Sequence, residues 1–508
     1  MEGSPIPSAE WEYEFMQSIL PHVSVDMLNE LAKTYVTDNN IIVNIQAPDK
    51  DAAVLPSSAQ IPASLAAMHE LDIAQPKATA VDSRLVKKAL KPGKIAKKRT
   101  LTDFGATEWT LRNGVRVVLK QTDFKQDEIV MSAFSWGGES LISTEELMSA
   151  ELATAAVSFM GLGDYSATDL QKALAGKKVS LNTSINVYFE GMTGQTTPKD
   201  FETLLQLTWL RFTSPRQDME AYQSYINRNK AALQNQELNP MSALQDTIAS
   251  TLYDNRPRAL RMKAWMLDEI NYDRAVQIYK ERFAGAADFI FVFTGNIDEA
   301  TALPLIQKYI GSLPKGKKKE NWKDIHLDVK PGKLSNVFDK EMEVPQATYL
   351  QVVDGTIDYN LKNNLALDFA SQVLDILYTE EIREKEGGTY GVNVITQATN
   401  VPKNRATMQI VFQCDPDRRE YLGGRVKEIL TQFAAEGPSE ANLAKVKELV
   451  IKRYQENLRE NSYWAGELLD WVLYGEDNVT DYEQTVSSIT AEDVRLAAKK
   501  LLNQGMIQ

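Results

Sequence analysis

Three stretches of this chain place apolar and polar residues in the same order. Residues 23–36 (VSVDMLNELAKTYV), 270–283 (INYDRAVQIYKERF) and 489–502 (ITAEDVRLAAKKLL) each begin with an apolar residue. Ser24, Asn271 or Thr490 then stands as an N-cap, Asp26, Asp273 or Glu492 falls in the first turn, and Lys33, Lys280 or Lys499 lies nine positions after the cap. The cap oxygen can satisfy a free N–H, while the acid and the lysine complement the two ends of the helix dipole. One such segment is an ordinary helix signature. Three in one register predict a repeat.

The residues just beyond these helices extend the pattern. Residues 41–47 (IIVNIQA) and 289–295 (FIFVFTG) are rich in β-branched and aromatic residues and predict buried strands. The first copy places its strand 41 − 24 = 17 residues after the cap, so the third strand is expected near Ile507, cut by the end of the chain. The last two caps are 490 − 271 = 219 residues apart, which sets the unit length. Within a unit, FEGMTGQTTPKDFETLLQL is echoed by FQCDPDRREYLGGRVKEIL, and a long helical stretch comes after each. Strands, a helix, more strands and a closing helix–strand pair predict an α+β fold, with helices on one face of a mostly antiparallel sheet. Between the units, residues 84–99 (RLVKKALKPGKIAKKR) and 313–333 (LPKGKKKENWKDIHLDVKPGK) carry concentrated basic charge and read as solvated linkers.

Composition narrows the function. The 508 residues are 43% hydrophobic and 25% charged, which is globular material. A net charge of −13 argues against nucleic acid as the main partner. No apolar run is long enough to span a bilayer, and EWEYEF occupies the region where a signal peptide has its apolar core. Two expectations follow, a protein of the cytoplasm or one whose targeting segment lies outside this chain, and the sequence does not choose between them. The single cysteine, Cys414, forms no internal disulfide and reads as a packing residue. His22, His69 and His326 lie far apart and form no zinc motif. G-x-S-x-G and a P-loop are absent, and MGLGD (residues 160–164) lacks the rest of a dinucleotide fingerprint.

The remaining candidate is residues 381–392, EIREKEGGTYGV. Gly387 and Gly388 can end the preceding helix and leave the charges in solvent. Alternatively, Arg383 and Tyr390, in the spacing R-x6-Y, are functional groups on a loop that the glycines allow to approach a ligand closely.

The repeats, the unit length and REKEGGTYGV resemble the pitrilysin/insulin-degrading family of inverted-zinc-motif metallopeptidases, which includes the mitochondrial processing peptidases. The resemblance covers essentially the whole chain and is closest to the large bacterial peptidases of four homologous domains. It implies a metallopeptidase/LuxS-like clamshell half: residues 1–75 the tail of a preceding homologous domain, 76–104 a basic linker, 105–314 an inactive peptidase-like domain, 315–335 a second linker, and 336–508 a C-terminal domain truncated in its last strand. It further implies that Arg383 holds substrate carbonyls, that Tyr390 assists the chemistry, and that Gly387 and Gly388 help to bind an extended peptide. Leu152, Ala155 and Ala156 stand where the family's zinc ligands and glutamate would lie, so the resemblance implies no metal in this chain and Zn2+ in the complementary half. The implied partners are that N-terminal zinc-bearing half, on the same or a separate polypeptide, and a peptide substrate. The same fold also serves as a catalytically silent scaffold or substrate-binding subunit.

Overall fold

The structure, a computed structural model, describes residues 7–35, 41–45, 47, 53–68, 84–316, 320–504 and the backbone of 506–507. The chain divides into two compact units, residues 1–79 and 80–508.

In the first unit the helices are Ala9–Ile19, Val25–Tyr35 and Gln60–Met68, none with a buried residue. Ser24 caps the second of them, its Oγ accepting from the Met27 N–H at 3.2 Å. The strand expected over residues 41–47 is not formed: 41–45 carry no strand pairing, and Ile41, Ile42, Val43 and Ile45 are exposed. A strand needs neighbours for its backbone groups, and the described residues of this unit offer none. Gln46 and His69 lie outside the described residues.

The second unit contains two sheets. The first comprises β1 (Ile95–Leu101), β2 (Ala106–Leu111), β3 (Arg116–Gln121), β4 (Ile129–Trp136), β5 (Val179–Ile185), β6 (Phe189–Thr196) and β7 (Ile290–Gly295), in the order β1-β2-β3-β7-β4-β6-β5. The second comprises β8 (Lys333–Leu334), β9 (Ala347–Gly355), β10 (Val392–Thr399), β11 (Arg405–Cys414) and β12 (Met506–Ile507), in the order β10-β11-β9-β12-β8. Read from one edge, β5-β6-β4-β7-β3 and β10-β11-β9-β12-β8 are the same path. Each has one parallel pair in the same place, β3 with β7 and β8 with β12. In each, the strand after the capped helix inserts in mid-sheet: β7 comes after Tyr272–Arg282, and β12 after Ala491–Leu502. Asn271 Oδ1 accepts from Arg274 N–H, and Thr490 forms a reciprocal capping box with Asp493. The repeat read from the last two caps is thus a repeat of sheet topology, and the first copy, with no strand over 41–45, does not share it.

Three expectations change. The basic stretch read as a linker contributes β1, the outer strand of the first sheet, and Leu85 and Val86 before it are buried. Its charges have a structural reason: an exposed edge rich in lysine resists pairing with another chain. Lys98 pairs with Glu299 at 2.6 Å, and Arg99 lies over the Trp471 ring at 4.5 Å. The second basic stretch is docked rather than free. Lys323 N–H donates to Ser140 Oγ, Lys330 N–H donates to Leu252 O, and Arg282 pairs with Glu320 at 2.7 Å.

The third change concerns layers, because the first sheet is covered on both faces. Val117, Leu119, Phe291 and Phe293 face the core that includes helices Phe201–Thr213 and Tyr272–Arg282. Their neighbours Val118, Ile290 and Val292 meet Trp464, Ala465, Leu468 and Val472 of helix Asn461–Tyr474, supplied by the second repeat. Asn461 locks this joint while fully buried: it accepts from Thr122 at 2.6 Å through Oδ1, accepts from Thr294 at 2.6 Å through its carbonyl, and donates to Glu128 at 2.8 Å. In return, helix Pro240–Tyr253 of the first repeat places Leu252 and Ile248 against Val352 and Leu350 of β9.

Candidate functional site

Helix Leu361–Tyr378 begins at Asn360, whose side chain accepts from Asn363 N–H, and buries Leu365, Phe369 and Val373 against the second sheet. It then widens into a π-helical turn, Thr379–Glu386. Such turns re-aim side chains and recur at functional sites. Ile382 is fully buried and anchors the turn, while Arg383 beside it is exposed. Gly387, at φ 55°, ends the turn in the left-handed region that a glycine adopts without strain.

The backbone beyond is clamped. Arg418 donates from one guanidinium nitrogen to the Glu386 carbonyl at 3.1 Å and to the Gly387 carbonyl. The Glu386 carboxylate accepts from Tyr421 O–H at 2.9 Å and lies 3.6 Å from Arg425 Nε. A Cβ on Gly388 would meet the Arg418 guanidinium, which would have to move aside to admit it. Past the glycines, Thr389 Oγ1 donates to Gly391 O at 3.0 Å and accepts from Gly391 N–H at 3.2 Å. That small ring presents Tyr390, which is 99% exposed. Val392 is buried at the start of β10, and the Val394 N–H is held by Asp375 Oδ1 at 2.9 Å. Burial pushes the Asp375 carboxyl above its ordinary value.

Arg383 therefore lies on the π-helical turn rather than on the loop expected from sequence, and Gly387, Gly388 and Tyr390 lie on the loop that comes after it, between the buried Ile382 and Val392. Among the described residues, neither Arg383 nor Tyr390 has a hydrogen-bond or ion-pair partner. A guanidinium and a phenol held in solvent by a fastened backbone can donate to carbonyl oxygens or to an oxyanion. Sequence reasoning misses Arg418, Tyr421 and Arg425, which hold the loop. Their one signal is their spacing on successive helical turns in PDRREYLGGR, just after β11.

The segment aligned with a zinc helix is broken into Leu147–Glu151 and Ala155–Ser158. Leu152 and Ala155 are half-buried, and Ala156 is fully buried in the core. These side chains carry no donor atom, so this position does not fit a metal ion. Among the described residues, no group of three His, Cys, Asp or Glu side chains is placed to hold one. Cys414 is buried, with its thiol pushed up by burial. No helix of the described residues is long and apolar enough to cross a membrane.

Residues 269–450 match the peptidase M16 inactive domain. The zinc protease PQQL-like protein of Arabidopsis thaliana is 22% identical over 487 residues, covering 92% of this chain and 48% of its own length. The probable zinc protease PqqL of Escherichia coli K12 is 24% identical over 421 residues, covering 80% of this chain and 44% of its own. The chain thus spans about half the length of these relatives. The crystal structure of the periplasmic protease PqqL from Escherichia coli superposes with a TM-score of 0.73 at 23% identity, over 99% of this chain and 56% of that one. The chain is thus similar to the PqqL zinc proteases over about half of their length, and residues 269–450 carry the match to the peptidase M16 inactive domain.

Proposed function

We propose that this chain is the non-zinc half of a zinc-dependent metalloendopeptidase, closing over a zinc-bearing half and supplying Arg383 and Tyr390 to the peptide bound between them. One observation carries the reading: two hydrogen-bond donors without described partners, Arg383 and Tyr390, stand on either side of the backbone that Arg418 clamps. A loop that merely ends a helix has no need of that clamp.

In this role the Arg383 guanidinium donates to carbonyl oxygens of an extended substrate and holds its register. The Tyr390 phenol donates to the substrate oxygen as negative charge develops on it. Gly387, with open space where a Cβ would stand, lets the peptide backbone pass close to the loop, whereas the corresponding space at Gly388 is filled by Arg418. Since Leu152, Ala155 and Ala156 offer no metal ligand, no step here runs through a metal held by this chain.

The test is reconstitution. This chain and the zinc-bearing half are purified separately, and hydrolysis of a quenched fluorescent peptide is measured for each and for the mixture. Turnover only in the mixture supports the reading; equal turnover by the zinc-bearing half alone overturns it.

A further inference from the structure

A cavity of about 650 Å³ opens beside β9, lined by residues that take no part in the Tyr390 loop. Its floor is the outer face of β9, with Leu350 and Val352; Leu244 and Ile248 of helix Pro240–Tyr253 form one wall, and Phe338 and Met342 of the strap between β8 and β9 form another. Phe338 and Met342 remain 39% and 38% exposed, so apolar surface continues to the mouth. The volume lies in the range of sites that enclose small ligands and exceeds what one side chain fills.

We infer that this cavity binds a neutral, extended peptide segment through its bulky apolar side chains. The charged residues of the lining carry both signs, Lys340 and Arg419 against Asp339, Glu341 and Glu420, so they favour no single ionic ligand. At the rim Arg419 pairs with Asp339 at 3.2 Å, which leaves that cation answered by the protein's own acid. The uncharged amides of Gln346 and Gln413 also contribute to the wall, and neither has a hydrogen-bond partner among the described residues. Amides match the paired donor and acceptor of a peptide group, and an apolar floor takes the side chains between them.

Position supplies the second argument. Pro416 and Arg419 line the cavity and flank Arg418, whose guanidinium holds Gly387. A peptide passing the Tyr390 loop therefore has a second foothold on the same turn of chain. The choice of peptide as ligand rests on the proposed function, but binding in the cavity is separable from turnover.

The experiment uses the 508-residue chain without its complement. Fluorescence anisotropy is read with a fluorescein-labelled pentapeptide amide having Leu-Phe-Leu at its centre, with a Ser-Ser-Ser counterpart and with dodecanoate as competitor. The Leu-Phe-Leu peptide is expected to bind at least tenfold more tightly than its counterpart. Phe338→Asp, on the exposed strap, and Leu244→Trp, which fills the cavity, should each weaken binding at least tenfold. Equal binding of both peptides, undiminished binding in both cavity variants, or displacement by dodecanoate with no preference between peptides would each overturn the assignment. If the peptides bind as expected while the reconstituted mixture shows no turnover, the cavity stands and the proposed function falls.

Discussion

The guanidinium of Arg418 donates to the main-chain carbonyl of Gly387, so a helix that starts after β11 holds the loop that starts before β10. This contact fixes the backbone that leads to Tyr390, whose side chain is 99% exposed. Replacing Arg418 with Ala removes donors to two carbonyls and should release residues 386–391. Hydrogen exchange of those amides is expected to rise about tenfold or more, as for a segment shifted toward local opening. Global stability should fall by only about 1 kcal/mol, because the bonds are partly exposed. Gly388→Ala should produce the same local loosening, since its Cβ displaces the guanidinium.

Asn461 carries a different load. Its three hydrogen bonds join the second repeat to β7, to the turn after β3 and to Glu128, with no side-chain exposure. Asn461→Ala strands the Thr122 hydroxyl, leaves Glu128 with only its Lys125 ion pair at that oxygen, and should cost about 2 kcal/mol. Urea unfolding checks this through its midpoint. A loss below about 0.5 kcal/mol would mean that the apolar seam of Trp464, Leu468 and Val472 carries the joint alone.

These joints explain which parts of the fold are legible in the sequence. The caps at Ser24, Asn271 and Thr490 are visible because capping is local chemistry, and the strand near Ile507 emerges from counting within a repeat. β1 is hidden because an edge strand protected by lysines has the composition of a linker. Helix Asn461–Tyr474 reads as a helix, but nothing local says that it crosses to the first sheet, since its partners are far away in sequence. At the site, Arg383 and Tyr390 stand out through their spacing and glycines. Arg418 does not, because its role depends on where β11 delivers the chain.

Glu190 predicts a pH dependence. It sits buried on β6 and accepts from Gly138 N–H at 2.7 Å, and burial pushes its carboxyl up to about 8. A carboxyl raised on folding binds more protons in the native than in the unfolded state. Its contribution to stability is therefore greatest below its unfolded value of 4.5 and is lost as pH rises from there to about 8. Glu190→Gln should flatten the fall in melting temperature across that window. Part of the slope should persist, because Glu139 and Glu467, each pushed up to about 7, act in the same sense. An unchanged slope in Glu190→Gln would assign the titration elsewhere.

The central claim is that the Tyr390 phenol acts on substrate held by a complementary half. It is tested most directly by comparing kcat of wild type and Tyr390→Phe in the reconstituted enzyme, with zinc content measured on the same samples. Loss of one oxyanion donor lowers turnover by roughly 100-fold in comparable sites. The account predicts a fall of that order with zinc content unchanged, and turnover within about twofold of wild type would contradict it.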